Sequence, residues 1–160
     1  EVEVILAEAA LNGWMTGGED AARTYYENAV TASMKKWADF GRNISPDYTI
    51  SDDQIKEFLN SSLGSWDDHP NHEQLIIDQK YLASFWIGME GWNEYRRTGY
   101  PVLTIGDGCT FNDMVLPTRM GYPNTTIATN SANATAALKN MGGENNMKTP
   151  LWWSKQAIEK

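Results

Sequence analysis

The densest group of side chains able to do acid–base or metal chemistry is Asp67, Asp68, His69 and His72, inside SLGSWDDHPNH. Two carboxylates and two imidazoles can ligate a metal or serve as general acid and base. Their spacing argues against both uses. Adjacent aspartates in a turn diverge, the HxxH interval matches no zinc pattern, and no nucleophile with an adjacent base stands nearby. The expectation is a solvated turn with helix-capping aspartates, with a ligand-contacting loop as the alternative and a hydrolase as a third reading. Trp66 poses the same choice. An exposed indole is a stacking surface for a sugar, whereas a tryptophan just before a helix folds back onto it as a packing plug. Trp66, Asp67, Asp68 and His69 are therefore the candidate ligand contacts, and no catalytic residue, metal ligand or cofactor is expected.

The elements that must hold this loop read as helices. Val2, Ile5, Leu6, Ala9 and Ala10 take up a helical period with no capping Ser, Thr, Asp or Asn before them. Gly13 ends that helix and Gly17-Gly18 turns the chain. A second helix starts near Glu19, with Ala22, Tyr25, Tyr26, Ala29, Val30, Ser33 and Trp37 on its inner side. Residues 1–40 thus form a helix pair, residues 51–99 central helices, and residues 100–160 an irregular segment carrying one short helix. Gly41 to Ile50 reads as a loop. Ser51 with Gln54 makes a capping box for a short helix bearing Ile55, Phe58 and Leu59, and Asn71 caps the next one.

That central helix is expected to run from about Asn71 through the region of Gly88 to Gly91. Leu75, Ile76, Leu82, Phe85, Trp86 and Met89 recur at spacings of three, four and seven, which places their bulk on one core-facing side. Gly88 and Gly91 signal a break or a close backbone approach. The helical pattern resumes from Trp92 to Arg97, Gly99 sits where a left-handed cap belongs, and Pro101 stops continuation. At least one of Arg96 and Arg97 is expected to be buried against a carboxylate or several carbonyls.

After Pro101 the chain reads as irregular, with at most a small strand pair from Val102 to Ile105 and Met114 to Leu116. Leu116, Met120 and Tyr122 are its expected anchors. Asn130-Ser131 opens a last helix that Gly142 and Gly143 end, and Trp152 and Trp153 are read as a structural pair with one ring inward.

Composition narrows the partners. With 21 acidic and 13 basic residues among 160, the formal charge of −8 disfavours nucleic acid and anionic membrane surfaces. Cys109 is the only cysteine, so no intrachain disulfide forms. No run approaches a transmembrane span, and the N-terminus lacks the order of a signal peptide.

The run from Gln79 and Lys80 through Phe85, Gly88, Glu90, Trp92 and Glu94 to Arg96-Arg97-Thr98-Gly99-Tyr100-Pro101 resembles the central signature of SusD/RagB-like nutrient-binding outer-membrane lipoproteins. Leu116-Pro117, Arg119, Tyr122-Pro123, Asn130, Asn133, Ala137, Leu138, Gly142, Gly143 and Thr149-Pro150-Leu151-Trp152-Trp153 follow in the order of that family's C-terminal end. The resemblance implies a mainly α fold, with a tetratricopeptide-type helix pair, long irregular C-terminal segments, and Trp92, Arg96, Arg97, Trp152 and Trp153 as its structural signature. It also implies that residues 1–160 are the C-terminal portion of such a domain. The implied function is non-enzymatic capture of glycan or other nutrient oligomers at the bacterial cell surface, for delivery to a SusC-like TonB-dependent transporter. Attachment to the membrane would be through a lipid on a cysteine outside this chain. A helical-repeat module binding a protein or peptide is the alternative, supported by the single helix pair.

Overall fold

The computed structural model describes residues 1–110 and 112–155; the last part of the 100–160 segment, residues 156–160, lies outside them. Seven α-helices and no strand are present among the described residues, in agreement with the mainly α expectation. The chain divides into two compact units, Glu1–Gly91 and Trp92–Lys160.

In the first unit, α1 (Val2–Leu11) and α2 (Gly18–Arg42) form an antiparallel hairpin. Gly13, Gly17 and Gly18 all have positive φ, so the turn between them uses backbone conformations open to glycine at little cost. Small residues let the pair approach closely: Ala7 and Ala10 on α1, and Ala22 and Ala29 on α2, are buried. α2 is longer than the helix pair read at 1–40, because Gly41 packs its bare Cα against the Tyr48 ring and the helix runs on to Arg42. α3 (Asp52–Leu59) opens with both halves of the capping box, Ser51 Oγ accepting from the Gln54 amide at 3.2 Å and Gln54 Oε1 accepting from the Ser51 amide at 2.8 Å.

α4 (His72–Ala83) is capped by Asn71, whose Oδ1 accepts from the Gln74 amide at 3.0 Å. Leu75, Ile76 and Ile77 are its buried residues and contribute the largest aliphatic side chains of the core, alongside Tyr26 of α2. The expected continuation through Gly88 does not occur. The helix stops at Ala83, the chain turns with Trp86 and Gly88 at positive φ, and α5 (Glu90–Thr98) then begins. Both readings of the glycines therefore apply, since Gly88 is in the break and Gly91 has the Tyr81 ring lying against its Cα. Leu82, Phe85, Trp86 and Met89, expected on the core face, are 58%, 60%, 86% and 46% exposed. Leu82 still lies in α4 but on its exposed side, and for the other three the helix has already ended, so spacing no longer places them on one side of anything.

In the second unit, α5 ends at Gly99, whose φ is +81° and whose amide donates to the Tyr95 carbonyl at 2.8 Å. Neither 102–105 nor 114–116 pairs as a strand. α6 (Asn124–Thr129) follows Pro123, and α7 (Ser131–Met141) ends at a left-handed Gly142. α6 is invisible to periodicity because NTTIAT is short and poor in helix formers. Asn130 holds the N-cap position of α7 without capping it, its Oδ1 accepting instead from the Asn133 side chain at 2.8 Å.

Of the expected anchors of the irregular segment Leu116 is half-buried, but Met120 and Tyr122 are exposed and polar residues take their place. Met120 is 63% and Tyr122 38% exposed, while Thr118 and Arg119 are buried. The Thr118 amide donates to the Met147 carbonyl at 2.9 Å, and Arg119 Nη1 to the Asn146 carbonyl at 3.0 Å. Asn145 clasps Tyr122 from both sides, Oδ1 accepting its amide at 2.7 Å and Nδ2 donating to its carbonyl at 3.0 Å. An irregular chain must satisfy its backbone groups somewhere, and here side-chain amides do it where a ladder is missing.

Candidate ligand-binding site

The loop first singled out by its chemistry is a latch. Trp66 is only 5% exposed, its ring stacked on His72 at 4.0 Å between centroids and 5.5 Å from Tyr26. This is the packing plug, and neither face of the indole is open for a sugar. Around it the polar groups are engaged. Tyr26 OH donates to the Gly64 carbonyl at 2.9 Å, and burial raises the pKa of that phenol. His72 Nε2 lies 2.9 Å from the Trp66 carbonyl and Nδ1 lies 2.6 Å from Glu19.

Asp67 accepts two bonds from Arg23, at 2.7 and 2.9 Å, and Arg23 also donates to Glu27. Hydrogen bonds from Arg23 to Glu27 and then to Asp67 raise the pKa of its guanidinium. Asp68 is exposed, its amide directed at Ser65 Oγ, and His69 Nδ1 accepts from the Asn71 amide at 3.2 Å. The four candidates are thus adjacent in sequence but divergent in role: one buried ring, one carboxylate paired with α2, one solvated carboxylate and one local turn contact. Among the described residues no three His, Cys, Asp or Glu side chains gather as they would for a metal.

The aromatic groups that do open to solvent lie elsewhere in the same unit. Trp37 and Phe40 on α2 meet Phe85 and Trp86 from the turn after α4. Trp37 stands edge-on to Phe40 at 5.9 Å and 6.3 Å from Phe85, which contacts Trp86 at 5.5 Å. With Lys36, Asp39, Asn43 and Ile87 these rings line a groove of about 600 Å³. Trp86 is its most open member, 86% exposed and held at φ +65°. A bulky residue in that conformation costs free energy, so the turn holds the indole outward against its own backbone preference. Flat apolar faces beside an ammonium, a carboxylate and an amide can stack on the C–H face of a sugar ring and hydrogen-bond its hydroxyls. Sequence reasoning missed this groove because it placed Phe85 and Trp86 on a core face. The break lies before both rings, since α4 ends at Ala83, and neither Gly88 nor the apolar spacing marks that position.

In the second unit the signature residues hold one another. Trp92 Nε1 donates to the Pro117 carbonyl at 2.6 Å, which ties α5 to the irregular segment. Arg97 donates to Glu94 at 2.6 Å, but the buried partner is the carboxylate: the Glu94 side chain is 9% exposed and that of Arg97 40%. Arg96 is half-buried, its guanidinium stacked 3.8 Å from the Trp92 ring and 4.9 Å from that of Trp153. The expectation of a buried arginine on a carboxylate therefore fails for both, because the indoles cover Arg96 by its faces and the carboxylate withdraws beneath Arg97. Trp152 is 86% and Trp153 37% exposed, so the tandem tryptophans differ in direction, Trp153 lying toward Arg96, but neither ring is buried as expected.

The sequence matches the SusD-like family, SusD and RagB outer membrane lipoproteins, over residues 1–154, and the chain belongs to that family. Solved structures agree with it. A chitin-binding protein shares 28% identity at a TM-score of 0.74, with 96% of this chain and 32% of that one covered. A SusD homologue of Bacteroides fragilis shares 26% identity at a TM-score of 0.74, covering 95% of this chain and 33% of the other. A chitin-binding SusD homologue of Flavobacterium johnsoniae shares 28% identity at a TM-score of 0.65, covering 94% and 34%. The chain thus spans about a third of the length of the solved structures it matches. No curated protein matches it.

Proposed function

We propose that this chain takes part in non-enzymatic capture of glycan or other nutrient oligomers at the outer-membrane surface, for delivery to a SusC-like TonB-dependent transporter, and that the Trp37–Phe40–Phe85–Trp86 groove is its contact with the oligomer. Family membership supplies the class, and two of the related structures carry chitin-binding descriptions. The observation that carries the site is the open aromatic cluster, four rings contacting in a row from Phe40 through Trp37 and Phe85 to Trp86, of which Phe40, Phe85 and Trp86 are more than half exposed. Contiguous exposed rings of this kind mark interaction surfaces.

Absence of catalysis is part of the same reading. Asp67 is paired with Arg23 and both ring nitrogens of His72 are occupied, while Asp68 is solvated and His69 accepts from the Asn71 amide, so the four groups of the loop that first suggested a hydrolase do not act on one point. Titration of chitohexaose and of a neutral α-glucan, followed by tryptophan fluorescence and calorimetry, tests the groove. Saturable binding of either, weakened about tenfold by Phe85→Ala as loss of one stacked ring implies, is the expected result. Absence of saturable binding to both would overturn the site, and hydrolysis of either oligomer would overturn the non-enzymatic reading.

A further inference from the structure

Among the described residues of the second unit, the guanidinium groups of Arg96 and Arg119 are buried or half-buried and pair with no carboxylate. Arg119 is 5% exposed and uses Nη1 on the carbonyls of Asn146, at 3.0 Å, and Glu144, at 3.4 Å, with its guanidinium 5.2 Å from the Tyr122 ring centroid. Arg96 donates from Nη2 to Asn93 Oδ1 at 2.6 Å and has indoles over its guanidinium, while its Nε is buried without any hydrogen-bond partner. Neither arginine forms an ion pair among the described residues. Both line a single cavity of about 360 Å³, whose other walls are Trp92, Met120, Tyr122, Met141 and Leu151.

We propose that this cavity is a subsite for a carboxylate-bearing sugar, a uronic acid residue of an otherwise uncharged oligomer. Two positive groups facing one space repel each other and have lost part of their hydration. One anion between them compensates both, and guanidinium donors suit a carboxylate in geometry as well as charge. Partial burial lowers the pKa of Arg96, the direction expected for a cation still lacking its counter-charge.

The walls narrow the ligand further. Tyr122 and Met120 offer apolar surface for a ring, and the cavity is at the small end of the range for ligand sites, which fits one sugar rather than a chain of them. A formal charge of −8 on the whole chain opposes a polyanion, so a single acidic residue at this position is the chemistry favoured. The inference rests on the capture reading only for the kind of molecule that brings the carboxylate.

A ligand-side comparison tests it without depending on any variant's folding. The 160-residue chain is titrated by calorimetry with methyl glucuronoside and with the matching glucuronamide, at low and at high sodium chloride. The acid is expected to bind at least about tenfold more tightly than the amide at low salt, with the margin shrinking as salt rises. Arg96→Gln, checked for fold by circular dichroism, should abolish the margin, whereas Arg96→Lys should restore part of it. Equal affinity for acid and amide overturns the subsite, even if neutral oligosaccharides bind at the aromatic groove and the capture reading stands. A salt-sensitive preference for the acid that survives Arg96→Gln also overturns it, since the charge recognised would then lie elsewhere. A preference lost in Arg96→Gln supports the subsite whether or not chitohexaose binds, so failure of the aromatic groove is read separately.

Discussion

The two units are stabilised by different interactions. In Glu1–Gly91 the buried side chains are mostly apolar: Val4, Tyr26, Val30, Ile55, Trp66, Leu75, Ile76 and Ile77, with small alanines between the helices. In Trp92–Lys160 the described buried residues are Glu94, Thr98, Thr118, Arg119, Ala134 and Ser154, of which one alone is apolar. The first unit gains stability from area removed from water, the second from polar groups that close each other's hydrogen bonds. The difference also divides the two candidate binding regions. A groove of exposed rings sits on the unit whose core is already filled, and a cavity lined by two guanidinium groups, without an ion pair among the described residues, sits in the unit whose interior is polar.

The largest effect that would sharpen this contrast is expected from Ile76→Ala. Ile76 is 1% exposed in the middle of α4, so its truncation removes buried methyl groups and leaves a cavity. A loss of about 2–5 kcal/mol is expected, measured by urea denaturation. A loss near zero would mean that the apolar core is not what holds the first unit.

The corresponding change in the second unit is Asn146→Ala. Asn146 Oδ1 accepts from the amides of Lys148 and Thr149, at 3.0 and 2.9 Å, and from Thr149 Oγ1 at 3.0 Å. Removing that one oxygen strands two backbone donors in a half-buried turn, which costs about 1–3 kcal/mol. Hydrogen exchange at the two amides should accelerate together. Unchanged protection would break the comparison from the polar side.

How much of this was legible in the sequence follows the same line. Capping residues speak through local chemistry, so Ser51 with Gln54, Asn71 and Gly99 landed where expected. Apolar period found the core of α4 but overran its end, because spacing alone cannot say that the helix stops at Ala83 while Phe85 and Trp86 keep the pattern. The polar anchors of the second unit left no periodic trace. Asn145, Asn146, Thr118 and Arg119 meet partners more than twenty residues away, and nothing in the type of an asparagine announces which distant carbonyl it will clasp. The family resemblance reached the fold and the class, but neither candidate binding region.

A smaller effect concerns pH. Asp78, on α4, has one carboxylate oxygen buried without a partner, and burial raises its pKa, only partly opposed by Gln74 and His69. A carboxyl whose folded pKa is raised contributes stability at pH below its unfolded value and loses that contribution as pH rises through the folded value. Wild-type stability should therefore fall over the pH range just above ordinary carboxylate titration. Asp78→Asn, having no proton to lose, should flatten that part of the profile and melt slightly higher at neutral pH. A mutant profile with the same fall would assign the titration to another group.

The smallest effect on stability, and the sharpest on binding, is expected from Trp86→Gly. Two opposing contributions act on the fold. Glycine adopts the positive φ at residue 86 freely, which relieves about 1 kcal/mol or somewhat more, while loss of the indole removes its edge contact with Phe85, worth about 0.5–1.5 kcal/mol. The ring is 86% exposed, so little buried area is lost with it. The melting temperature should therefore hardly move. If the outward indole is a ligand platform, binding of a neutral oligosaccharide at the groove should weaken about tenfold or more in the same variant. A fold unchanged and a ligand lost is the pattern of a residue kept for function. Equal affinity in wild type and variant would reduce Trp86 to an exposed turn residue and move the site to Trp37, Phe40 and Phe85. A variant that instead unfolded would show that the exposed rings of the first unit belong to its core after all, and the contrast with the polar second unit would have to be redrawn around them.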